Sequence, residues 1–156
     1  MSNILDIEGR AIMGYAERNT WAQLIASAGG TAVYLAIVLP QLATTPVSEI
    51  DWVWPMIWTI VGAIIVSIVL SILWGIFAGM ANPEAGHTAD LRDREIEQLG
   101  DRVGQAFMVI GGLVALVLAM VEGPWFWIGN AIFLGFFLSA FLGGLTRIVV
   151  YRRGMP

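Results

Sequence analysis

Four stretches of the chain run without a single acidic or basic side chain: Trp21 to Leu39, Val53 to Gly79, Val103 to Val121 and Trp125 to Thr146. Each has the length of about 20 residues that a helix needs to cross ~30 Å of hydrocarbon. A backbone in lipid has no water to bond, so its amides and carbonyls must pair within the segment or around a closed barrel. Barrel strands are shorter and alternate in polarity, and no such alternation is present. The expected fold is therefore all-α: one integral-membrane four-helix bundle covering residues 1–156. Composition agrees. Hydrophobic residues make up 58% and charged residues 13%, about half the ~25% charged share of an ordinary soluble domain.

The arginines predict an orientation. All eight basic residues are arginine. Arg10 and Arg18 precede the first span. Arg92, Arg94 and Arg102 lie between the second and third, and Arg147, Arg152 and Arg153 follow the fourth. The loops 40–52 and 122–124 carry none. With an even number of spans every arginine falls on one side, which the positive-inside rule makes cytoplasmic. The expectation is an up-down-up-down bundle, multi-pass in the cytoplasmic (inner) membrane, with both termini cytoplasmic. Trp52, Trp54, Trp58, Trp125 and Trp127 then fall at the outer interface, with Trp21 and Trp74 near the inner one. Indoles favour that level, where the ring is apolar and the N–H stays wet. Residues 1–19 carry Asp6, Glu8, Arg10, Glu17 and Arg18 and do not read as a cleaved signal peptide.

Several chemistries are disfavoured. Without cysteine there is no disulfide or thiolate metal site. Without a basic tract, nucleic acid is not an expected partner. No ionisable residue lies mid-span, where ion-coupled transporters keep theirs. His87 is the sole histidine and falls in a loop, so no bis-histidine haem site is available within one chain. Neither a nucleotide-binding glycine loop nor a serine nucleophile elbow occurs. No cofactor, metal or catalytic residue is assigned, and the chain reads as a non-enzyme. The main polar groups within the spans are Ser27, Thr31, Tyr34, Ser67, Ser71 and Asn130, expected to hydrogen-bond neighbouring helices.

Small residues predict how the helices pack, because lipid removes most of the hydrophobic drive between them. Gly75 and Gly79 form one GxxxG pair, and Gly100 and Gly104 another. The short connection between the second and third spans predicts that these two pairs cross each other, with a homodimer face as the alternative use of such motifs. Pro40 is expected to stop the first helix. Gly123 and Pro124 are expected to break the chain into a tight turn.

The one patterned polar segment runs from Asn82 to Gly104. Asn82 to Gly86 reads as a turn, and Thr88 or Asp90 as a helix cap. Ile96, Leu99 and Val103 recur on one face, and Asp90 with Arg94 stands four apart on another. An amphipathic helix over about 90–102 thus runs into the third span, with Gly100 as a place to bend. The run Asp90-Leu91-Arg92-Asp93-Arg94-Glu95-Ile96, with Gly100 and Arg102 behind it, resembles a cytoplasmic segment before the third span in small bacterial four-helix membrane proteins of unknown function. Leu91 stands where that pattern carries an acid. The resemblance implies the same topology and transfers no catalytic residue.

Three functional expectations follow. The first is an accessory or regulatory membrane protein that acts by protein–protein contact, with Asp90, Arg92, Asp93, Arg94, Glu95 and Ile96 as the surface for a cytoplasmic or membrane partner. The second is an oligomeric carrier or channel for an uncharged or lipidic solute, for which homo-oligomerisation is required. The third is an enzyme subunit that holds a quinone or pigment between tryptophan-rich helices.

Overall fold

A computed structural model describes residues 15–81 and 91–153. Four long helices account for almost all of them: α1 (Tyr15–Thr44), α2 (Val53–Ala81), α3 (Leu91–Met120) and α4 (Trp125–Arg153), with a single 3-10 turn at Val47–Glu49. All four are long and apolar enough to cross a membrane. The helices form a row rather than a square: α2 packs on α1, α1 on α4, and α4 on α3.

The α3–α4 seam is the most extensive contact in the molecule, and small residues explain why. A β-carbon on Gly104 would lie 2.8 Å from the Ser139 carbonyl oxygen, and one on Gly143 would lie 2.9 Å from the Gly100 carbonyl oxygen. A β-carbon on Gly111 would lie 2.6 Å from the Gly135 α-carbon. The two backbones therefore touch directly over three turns. Dispersion at such short range substitutes for the hydrophobic drive that lipid cannot supply. The pairing expected of Gly75 and Gly79 with Gly100 and Gly104 is corrected here. Gly100 and Gly104 face α4, whereas a β-carbon on Gly75 would meet open space. Sequence proximity across residues 82–90 did not decide the neighbour; the small residues Gly135, Ser139 and Gly143 on α4 did.

Pro40 does not end α1, which continues to Thr44. Proline deprives the Ala36 carbonyl of its usual amide, but nearby groups cover the rest of the turn. The Gln41 side-chain amide donates to the Ile37 carbonyl at 3.1 Å, the Thr44 hydroxyl to the Pro40 carbonyl at 3.3 Å, and the Thr45 amide to the Gln41 carbonyl at 2.8 Å. Gly100 lies inside one continuous α3. Its lack of a side chain is used for close approach, since Arg147 Cγ sits 2.5 Å from where its β-carbon would be.

The turn between α3 and α4 closes as a Schellman cap. The Gly123 amide donates back to Leu118 at 2.8 Å and the Glu122 amide to Ala119 at 3.2 Å. The left-handed residue is Glu122, with φ of 54°, rather than the adjacent glycine. Pro124 then starts α4 by accepting from the Trp127 and Ile128 amides.

The largest buried cluster, Tyr34, Val38, Ile50 and Phe126, lies at the tryptophan-rich end. Trp52 joins it, edge-on to Phe126 at 6.0 Å, whereas Trp54, Trp58 and Trp125 stay 61–82% exposed. No described side chain of α2 is buried, and Ile64, Ile65 and Ile68 are 54–55% exposed. So continuous an apolar face needs hydrocarbon around it.

The glycine seam makes a matched prediction. Gly111→Leu should destabilise the bundle by about 1–3 kcal/mol through overpacking. Gly112→Leu, one residue on and facing open space, should cost far less. Denaturant titration in mixed micelles measures both, and equal losses would contradict the seam.

Candidate functional site

Two regions carry chemistry beyond packing. One is the arginine-bearing end, where α3 and α4 run on past their apolar stretches. The Tyr151 phenol, beyond the apolar part of α4, lies close to the carboxylate of Asp93, the first acidic residue of α3. Asp101 pairs with Arg147. Arg152 stands 3.7 Å from Glu17 and 5.7 Å from the Trp21 ring, tying α4 to α1. Ser71 donates to Asn19 at 2.6 Å and ties α2 to α1 at the same end.

The residues expected to meet a partner divide. Ile96 is wholly buried, so it anchors α3 to the bundle and offers nothing to an outside surface. Its apolar side chain was part of the Ile96–Leu99–Val103 stripe, and that stripe turns inward. Arg94 and Glu95 are exposed, as are Glu97, Gln98 and Arg102, while Asp93 is half-buried against Tyr151. Asp90 and His87 lie outside the described residues, and so do the side chain of Arg92 and the surroundings of Gly79. Among the described residues no cluster of histidine and carboxylates is placed to hold a metal.

Between α1, α3 and α4 at this end lies a cavity of about 190 Å³, lined by Gln23, Asp101, Gln105, Ser139 and Arg147. The Arg147 Nε is buried there without a partner, because the guanidinium lies against the Gly100 backbone and commits one terminal nitrogen to Asp101. Sequence reasoning did not anticipate this pair. Asp101 and Arg147 are 46 positions apart, and only the seam brings them together.

The second region is a groove of about 470 Å³ between α2 and α4, floored by α1. It runs from the tryptophan-rich end toward the middle of the helices, and no charged residue lines it. Just beside it, Tyr34 Oη donates to Asn130 Oδ1 at 2.7 Å, and the Asn130 amide donates to the Phe126 carbonyl at 2.8 Å. Tyr34 and Asn130 thus link α1 to α4, as expected of polar groups within spans. Ser27 departs from that expectation, since its hydroxyl donates to Leu24 of its own helix.

Comparisons with protein-family models, curated proteins and solved structures return no match.

The Tyr34–Asn130 bond can be weighed by a double-mutant cycle of Tyr34→Phe and Asn130→Ala. Interhelical bonds of this kind couple by about 0.6 kcal/mol on average, with ~1.7 as the upper end. A coupling of about 0.5–1.5 kcal/mol is expected on that scale, and additive losses would mean that the bond contributes nothing.

Proposed function

We propose that the chain is a small, non-enzymatic, multi-pass protein of a bacterial inner membrane that acts through protein–protein contacts at its cytoplasmic side. In this reading the bundle is up-down-up-down with both termini cytoplasmic, following the one-sided distribution of the arginines. Contacts between Arg152 and Glu17, and between Arg147 and Asp101, are consistent with it, since they gather described arginines at one end.

The observation that carries the functional reading is how the start of α3 is held. Ile96 is buried, Asp93 lies beside Tyr151, and Asp101 is paired with Arg147. A helix pinned on one side in this way presents Arg94, Glu95, Gln98 and Arg102 already ordered, with little further entropy to lose when a partner arrives. A charged helix face alone is most often only solvated; fixed attachment to the bundle is what favours a docking role. The partner complements alternating acidic and basic groups, and charge steers its approach.

Two measurements test this. Arg92→Glu with Arg94→Glu should leave helix content and bundle stability nearly unchanged, within about 0.5 kcal/mol, yet fail to rescue the phenotype of a deletion strain. Full rescue would count against the docking surface. For the topology, green fluorescent protein fused after Pro156 should fluoresce, and alkaline phosphatase fused there should be inactive. An active phosphatase would overturn the orientation.

A further inference from the structure

Independently of the charged helix end, we propose that the groove between α2 and α4 binds a quinone-type lipid: a flat, uncharged ring bearing carbonyl oxygens, with a hydrocarbon tail that leaves into the bilayer. The volume of about 470 Å³ falls within the ~300–1,000 Å³ of small-molecule sites. The groove opens sideways from helices that are themselves lipid-exposed, so the bilayer is the phase that supplies its occupant.

Hydrogen-bond accounting selects the headgroup. Three hydroxyl-bearing side chains line the groove: Ser27, Thr31 and Thr59. Ser27 already donates to the Leu24 carbonyl at 3.1 Å, and Thr59 to the Pro55 carbonyl at 2.8 Å. Each has committed its proton and retains only acceptor capacity. The Thr31 hydroxyl has no partner among the described residues. One donor is thus left over in a site lined without charge, and a ligand carbonyl is the group that satisfies it at least cost. A charged headgroup would find no counter-ion.

The walls select the ring. Phe133, Phe136 and Phe137 all line the groove. Phe133 is held at 4.8 Å from the Tyr34 ring and Phe137 at 5.4 Å from Phe141, so these two faces are fixed before anything binds. Aromatic faces and edges favour a flat ring over a saturated chain. A phospholipid tail would use the walls but leave Thr31 unsatisfied.

The test uses the full chain in phosphatidylcholine nanodiscs, titrated with decyl-ubiquinone. Tryptophan fluorescence is the readout, because Trp52 packs over Gly129 on the rim of the groove. Quenching should saturate near one quinone per chain above the linear partition seen with a tryptophan-bearing peptide in the same discs. Thr31→Val keeps the shape, removes the donor, and should weaken binding about ten-fold with helix content unchanged by circular dichroism. Ser67→Val, outside the groove, should not alter it. Quenching that never saturates would overturn the site. Saturation that Thr31→Val leaves untouched would overturn the carbonyl assignment. Failure of decyl-ubiquinone to displace a spin-labelled phosphatidylcholine immobilised on the protein would show an ordinary acyl chain in the groove and overturn the proposal.

Discussion

The carbonyl oxygen of Ser139 lies 2.8 Å from where a β-carbon on Gly104 would stand, and the same kind of contact recurs at Gly100 and at Gly111. Hydrocarbon surrounds such helices on all sides, so burying one leucine against another gains little that lipid would not give. Direct backbone approach does gain something, because van der Waals attraction and weak Cα–H···O contacts are strongest at that range. The α3–α4 seam is therefore the firmest join in the bundle. It sets the axial register that places Asp101 beside Arg147 and Asp93 beside Tyr151.

Polar contacts then tie α1 to this pair at both ends. Tyr34 meets Asn130 toward the tryptophan-rich end, and Arg152 meets Glu17 and Trp21 at the other. Such contacts add little stability in themselves. Their value is positional, since each is compatible with only one alignment of α1 on α4. By contrast α2 is attached along one flank alone. A close approach at Gly30, where a β-carbon would stand 3.1 Å from the Ala63 β-carbon, and the Ser71–Asn19 bond hold it to α1. It does not close onto α4, and the groove is the consequence.

The two candidate regions thus have opposite physical origins. The charged end is a product of tight packing, where a buried isoleucine and paired acids immobilise a helix that runs beyond the apolar stretch. The groove is a product of incomplete packing, where three helices leave an apolar space with one unsatisfied hydroxyl.

Hydropathy alone was enough to place four helices, because the cost of an unpaired backbone group or a charge in hydrocarbon is incurred residue by residue and needs no knowledge of neighbours. The continuity of the polar 91–102 segment with the third span was legible for a similar reason: its apolar stripe keeps helical period. Pro40 misled, since α1 continues through it for another turn to Thr44, at the loss of only the one bond to the Ala36 carbonyl. Glycine spacing named residues suited to close approach but not their partners. Gly75 and Gly100 carry the same motif, yet one faces open space and the other faces α4. Which helix lies beside which, where Ile96 points, and whether a space remains between α2 and α4 all depend on matching two surfaces in three dimensions. A one-dimensional pattern of apolar and small residues is equally compatible with several such matches, and only the tertiary structure chooses among them.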